Sequence, residues 1–339
     1  MANQPLPALR ELHRGMSFGY LARRGAFATD EALRQPEEMA AIGIRWVALQ
    51  VTIMQETFAS TRLYQDFAFT PSDTEVEAII ARFHACGIRV MLKPMVECHD
   101  SSWRGRVAFP DGDQQIQGRV SDYWPRWFES FTAALTHYAR TAQRTGCEMF
   151  CLGCEMTGTI GQEAHWRQTI AAVRAVYAGA VTYDANHYDE CDTPWFDTLD
   201  MVSFSFYPTL DVPVGATADA MAAALAPVRD TLRQKAAKLG RPLAFGECGC
   251  RSVVGGARLP WEYRTQAPYD GTEQANFLEA VLRTFWNEPW WQGFYWWKWD
   301  EQQDRPHYRA DPAGDGGFTL RGKPAADVMR TWFTKPNAR

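Results

Sequence analysis

The chain has 339 residues, 46% of them hydrophobic, and a formal charge of −5 from 35 Lys+Arg against 40 Asp+Glu. This length suits one α/β barrel with loop insertions, a fold that needs about 250 residues and can exceed 400. The acidic balance argues against a polyanion such as nucleic acid, which a basic excess would serve better, and favours a neutral substrate. No apolar run reaches the roughly 18 residues of a membrane span. The N-terminal MANQPLPALRELHRGMSF has no apolar core of a secretory signal, so the expected location is cytoplasmic, or outside the cell if a signal has been removed.

Strand and helix signals alternate along the chain. Ser17–Tyr20 reads as a short strand, and Asp30 caps a helix through Ala41 that stops at Gly43. Arg45–Val51 is β-rich, and Pro71–Gly87 reads as a helix with Thr70 as cap and Pro71 first. Ile88–Pro94 is the next strand, followed by a long loop, Met95–Tyr123, of the kind that usually carries function. Then come a helix over Trp124–Thr145, a strand over Cys147–Gly153, a helix over Gln162–Ala178 and a strand over Ala180–Asp184. Trp195–Leu199 is at most a short helix. Met201–Tyr207 is a strand, Thr217–Leu239 a helix ended by Gly240, and Pro242–Gly246 a strand. After a second long loop, Cys250–Tyr269, Thr272–Asn287 is a helix, Gly293–Trp297 a strand and Lys323–Phe333 the last helix. Eight such units predict one (β/α)8 barrel domain spanning 1–339. An open doubly wound sheet is disfavoured because GYLARRG after the first strand is no phosphate loop.

The eight cysteines sit mainly in apolar stretches and read as small buried hydrophobes. Seven scattered His, none in HxH or HExxH spacing, give no metal site, and no cofactor is expected. Some of the 14 Trp must be core, and any one of them is as readily core as site; indoles also suit sugar rings, whose apolar faces stack on them.

In an α/β barrel the chemistry sits at the C-terminal ends of the strands. Those ends carry Lys93, Glu97, His99 and Asp100; Glu155; Asp184, Asn186 and His187; Tyr207; Glu247; and Trp297, Lys298, Trp299 and Asp300. Glu155 and Glu247 each follow an apolar strand, on opposite sides of the ring. Two facing carboxylates can flank one glycosidic bond, one protonating the leaving oxygen and the other attacking or assisting.

The segments LKPMVECHDSSWRG, FCLGCEM, SFSFYP, FGECGCRS and GFYWWKWD resemble those of glycoside hydrolase family 113, in the clan of retaining barrel hydrolases. The likeness runs from about Ser17 to Trp299, with the motifs in order on the corresponding strands. The resemblance implies β-mannanase or related β-mannosidic activity, with Glu155 as acid/base and Glu247 as nucleophile. It implies a hydrogen bond from Tyr207 to the nucleophile, and Trp297 as the floor beneath the sugar under attack. Many relatives in the clan have Asn before the acid/base; Cys154 stands there, with Asn186 or a water as candidates for the missing contact to the 2-hydroxyl.

Double displacement with retention follows, for which carboxyl groups about 5–5.5 Å apart are expected, against about 6.5–9.5 Å for inversion. Lys93 and Tyr207 are placed to keep Glu247 ionised. His99, Asp100, Trp103, Arg104, His187, Trp261 and Trp299 are candidates for sugar subsites. The expected partner is an oligosaccharide or polysaccharide; oligomeric state has no signal in the sequence. Two other readings stay open: a barrel glycosidase for glucosides, xylosides or amino sugars, and a non-catalytic carbohydrate-binding barrel.

Overall fold

The computed structural model describes residues 6–110, 115–116, 119–120, 122–299, 311 and 314–335. Eight parallel strands close into a barrel: β1 (His13–Phe18), β2 (Trp46–Gln55), β3 (Arg89–Cys98), β6 (Met149–Cys154), β7 (Ala180–Ala185), β8 (Val202–Phe206), β9 (Leu243–Cys248) and β10 (Trp291–Trp296). Two-residue strands β4 (Gln115–Ile116) and β5 (Arg119–Val120) form a separate hairpin in the loop after β3. Around the barrel lie α1 (Asp30–Ala41), α2 (Asp73–Ala85), α3 (Tyr123–Thr145), α4 (Glu163–Arg174), α5 (Ala218–Leu239), α6 (Gly271–Phe285) and α7 (Pro324–Phe333). Between β7 and β8 the crossover is made by two short 3-10 helices, Tyr188–Asp192 and Pro194–Thr198, the second anchored by Trp195 stacked on Trp166 at 4.5 Å. Among the described residues no helix is long and apolar enough to cross a membrane.

Several boundaries differ from the sequence reading, each for a local reason. The first strand begins at His13, not Ser17, because HRG hides a strand in which buried His13 stacks on Trp46 at 4.0 Å. The cap of α1 is Thr29, whose hydroxyl accepts from the Ala32 N–H; Asp30 is the first helical residue. The cap of α2 is Ser72, in a reciprocal capping box with Glu75. Thr70 instead donates its hydroxyl to the Thr52 carbonyl. β3 runs four residues past Pro94, so the long loop starts at His99 rather than Met95.

Strand alternation divides the core in two. On β3, Val90, Leu92 and Val96 face the helices within the large outer core. Met91 faces inward, in a smaller cluster with Trp46, Ala48, Met149, Cys151, Ala180, Met201, Ala244 and Tyr295. The N-terminal segment closes this end, with Ala8 buried in the cluster and Leu6 and Leu9 against it. Further along the same inward face of β3 come Lys93 and Glu97. The barrel interior therefore turns from apolar to charged toward the C-terminal ends of its strands.

His13 belongs to the apolar end. One ring nitrogen lies 2.7 Å from the Ala8 carbonyl, the other 3.1 Å from the Tyr295 hydroxyl. Burial lowers its pKa from 6.5 to about 4. The unfolded chain thus takes up a proton that the folded chain refuses, so stability is full above pH 6.5 and falls as the pH drops toward 4. This group alone is expected to cost about 2 kcal/mol between pH 7 and pH 5. Urea unfolding at the two pH values should show that loss, and His13→Phe should flatten it; an unchanged slope in the variant contradicts the assignment.

Candidate active site

The two glutamates arise from similar local devices. Between β6 and β7 the pairing shifts by one residue, from Cys151↔Thr182 to Cys154↔Asp184. Between β8 and β9 it shifts again, from Phe204↔Phe245 to Ser205↔Glu247. A one-residue bulge re-aims the side chains after it. On β9, Phe245 and Cys248 pack outward in the helix-facing core, while Glu247 turns inward and is only 3% exposed. Gly246 is the residue that makes room: a Cβ there would lie 2.2 Å from Asp184 Oδ1. Glu155 follows β6 with φ of +53°, the left-handed region that non-glycine residues rarely enter, and its N–H donates to the Asp184 carbonyl at 2.8 Å.

Around Glu247 the donors converge. Lys93 Nζ donates to Glu247 Oε1 at 2.9 Å and to Asp184 Oδ2 at 2.5 Å. The Tyr207 hydroxyl donates to Glu247 Oε2 at 3.2 Å. The Cys154 thiol lies 3.4 Å from Glu247 Oε1 and 3.5 Å from Asp184 Oδ2, at the position where Asn was noted as usual. Burial works against the Lys93 charge, but Asp184 and its neighbours hold the ammonium well above its ordinary pKa. Burial, reinforced by Glu247, pushes up the Tyr207 phenol and the Cys154 thiol, so both remain protonated donors. Cys154, Asp184 and Glu247 place three potential ligand atoms within 4.8 Å of one another. The cation they surround is the protein's own ammonium.

Glu155 has a different partner. Arg104 reaches it with NH2 at 3.0 Å, Glu97 with NH1 at 2.5 Å and the Cys154 carbonyl with Nε at 3.0 Å. The Trp103 indole N–H points to the same Glu155 oxygen at 3.5 Å. Arg104 NH2 also lies 3.8 Å from the Cys154 sulfur. Glu155 and Glu247 are therefore linked through Arg104 and Cys154 within one polar cluster. The Trp103 ring rests on Gly105, where a Cβ would lie 2.3 Å from the indole.

The other residues named from the sequence fall in three places. Lys93 is fully buried and the Arg104 side chain is 8% exposed, so both hold carboxylates rather than presenting a face to a sugar. Trp299 is a correction: at 3% exposure it packs in the core, its carbonyl accepting from Thr319, and offers no surface for stacking. Trp103 and Trp261 are exposed, Trp261 on the loop after β9. Trp297 is partly exposed beside Tyr20, ring centroids 5.0 Å apart. His99 pairs with Asp66 at 3.3 Å and stacks on Tyr64. Asp100 closes a turn by accepting from the Ser102 N–H and hydroxyl. Asn186 gives its backbone N–H to Glu190, and exposed His187 caps a 3-10 helix while pairing with Asp189 at 3.0 Å. Asp300 lies outside the described residues. The sequence reading gave Asp184 and Glu97 no task and passed over Tyr20. The spacing of Lys93 and Glu97, four apart on one strand and hence on one inward face, is a signal that would have found Glu97.

A closed barrel with one glutamate just after its fourth strand and another inward on its seventh defines a class, the (β/α)8 glycoside hydrolases. The model of glycoside hydrolase family 113 matches residues 16–323, and the chain belongs to that family. It is similar to the β-mannanase of family 113 from Alicyclobacillus acidocaldarius, solved in complex with ManMIm. That likeness has 36% identity and a TM-score of 0.82, over 96% of this chain and 97% of that one. It is also similar to a family 113 β-1,4-mannanase solved as a complex, at 27% identity and a TM-score of 0.82, over 96% of this chain and all of that one. A family 5 mannosidase from Rhizomucor miehei, at 12% identity and a TM-score of 0.60, over 96% of this chain and 93% of that one, shares the fold. No curated protein matches.

Removing Lys93 leaves two buried carboxylates facing each other without a cation. Breaking a buried ion pair at one partner costs about 3–5 kcal/mol. Lys93→Met is expected to lose that much in urea unfolding, and Asp184→Asn added to it to recover part. If the double variant is no more stable than the single one, the pairing is not what holds the cluster.

Proposed function

We propose that the chain is a retaining β-1,4-mannanase or mannosidase in which Glu247 attacks the anomeric carbon and Glu155 serves as acid, then base. Glu155 protonates the leaving oxygen as the C–O bond breaks and a glycosyl ester forms on Glu247. Water then enters with Glu155 accepting its proton, and the ester opens with the original anomeric configuration. The observation that carries this reading is the asymmetry of the two glutamates. Glu247 is buried under an ammonium, a phenol and a thiol, an arrangement that stabilises an anionic nucleophile. Glu155 lies on the left-handed turn after β6, its side chain 14% exposed and its carboxylate bounded by Arg104 and the Trp103 indole.

The β-mannan substrate class is supported by the family and by its mannanase structures. Trp297 is the proposed floor for the sugar under attack, and Trp103 and Trp261 are the exposed indoles proposed for neighbouring sugars. In this reading Lys93 and Arg104 act through the carboxylates they hold.

On β-1,4-mannooligosaccharides, Glu155→Gln is expected to lower kcat by about 10²–10⁴, the span of general acid/base catalysis. Glu247→Gln is expected to lose at least as much. Proton NMR of the first product formed should show the β-anomer. Initial α-anomer, or a Glu247→Gln variant as active as the parent, would remove the proposal. Equal turnover of β-glucan or xylan oligosaccharides would remove the mannan assignment alone.

A further inference from the structure

Each proposed catalytic carboxylate shares its cation with a second carboxylate. Lys93 stands between Glu247 and Asp184, and Arg104 between Glu155 and Glu97. The Arg104 arrangement poses a chemical problem. Arg104 places a full positive charge 3.0 Å from the carboxyl that has to hand over a proton when the glycosidic bond breaks.

Glu97 lies on the inward face of β3, and its Oε1 takes Arg104 NH1 at 2.5 Å. The Tyr20 hydroxyl, just past the end of β1 and beside Trp297, also acts on the Glu97 charge. Arg104 is fixed from a third side by the Cys154 carbonyl. Its guanidinium therefore has a counter-charge and a backbone anchor that do not involve Glu155. The Glu97 side chain is 14% exposed and already engaged by Arg104.

Resting on the roles proposed above for Glu155 and Glu247, we infer that Glu97 is a positioning residue for the acid step. It takes the NH1 side of Arg104 and offsets its charge, so that Arg104 orients Glu155 through one hydrogen bond rather than in a two-pronged ion pair. Glu97 reaches the reaction only through Arg104. Its removal should therefore weaken proton donation to the leaving group, and leave the attack by Glu247 less affected.

The dependence of rate on the leaving group separates these effects. A substrate whose leaving group is a dinitrophenolate departs without a proton; one whose leaving group is a sugar hydroxyl needs it. kcat/KM is measured on a dinitrophenyl β-mannoside or mannobioside and on an unactivated mannooligosaccharide. The enzymes are the parent, Glu97→Gln, Tyr20→Phe and, as reference, Glu155→Gln. For Glu97→Gln, the loss on the oligosaccharide is expected to be at least about tenfold greater than on the activated substrate, a differential of about 1.4 kcal/mol in the barrier. Tyr20→Phe, which keeps the ring and removes the hydroxyl that acts on Glu97, should move the ratio in the same direction by less. If Glu97→Gln lowers both substrates equally, or changes only KM, the residue supports the fold or binds sugar and the inference falls. If Glu155→Gln itself shows no leaving-group dependence, the catalytic reading falls and takes this one with it. Dependence in Glu155→Gln without it in Glu97→Gln overturns this inference alone.

Discussion

A carboxylate taken out of water needs a cation or several donors close by, and this requirement organises the mouth of the barrel. Lys93 on β3 meets carboxylates from β7 and β9, and Arg104 from the following loop meets carboxylates on β3 and at the end of β6. Cys154 touches both systems through its sulfur. Strands far apart in sequence are thus held in register at the C-terminal end of the barrel. The opposite end is closed mainly by apolar side chains, with His13 held between the Tyr295 hydroxyl and the Ala8 carbonyl.

The backbone irregularities serve the same requirement. A regular strand places alternate residues inward, which would send two consecutive residues to opposite faces. The register shifts on β6 and β9 bring Cys154 and Glu247 inward directly after Gly153 and Gly246, while Met156 and Cys248 return to the helix-facing core. The left-handed turn at Glu155 and the near contact of Gly246 with Asp184 are local costs borne beside the two proposed catalytic carboxylates.

Much of this was legible in the sequence. Eight β–α units were readable because apolar runs such as RWVALQV and CEMFCLG alternate with helical periodicity, and Glu155 and Glu247 stood out by following a strand and lying on opposing staves. The resemblance supplied the expectation that Tyr207 bonds Glu247, and the two lie 3.2 Å apart. Strand ends were less readable. β2 and β3 run on past Val51 and Pro94 to Gln55 and Cys98, and polar residues in those last stretches of strand, Thr52, Gln55 and Glu97 among them, look like loop in one dimension. The direction of Arg104 and Trp299 was not legible at all. An Arg in a loop reads as surface until Glu97 and Glu155 are seen on either side, and a Trp in YWWKWD reads as a platform until its burial is known. Spacing gives the face of a strand but not of a loop, and much of a barrel's site is made of loops.

The account turns on one covalent event, attack by Glu247 on the anomeric carbon. Incubation with a 2-deoxy-2-fluoro-β-mannosyl fluoride slows the second step more than the first, and digestion with mass spectrometry then locates the trapped sugar. The account predicts one fluoromannosyl group per chain, esterified to Glu247. Label on Glu155, on Asp184 or nowhere, in protein that still turns over mannooligosaccharide, would contradict it.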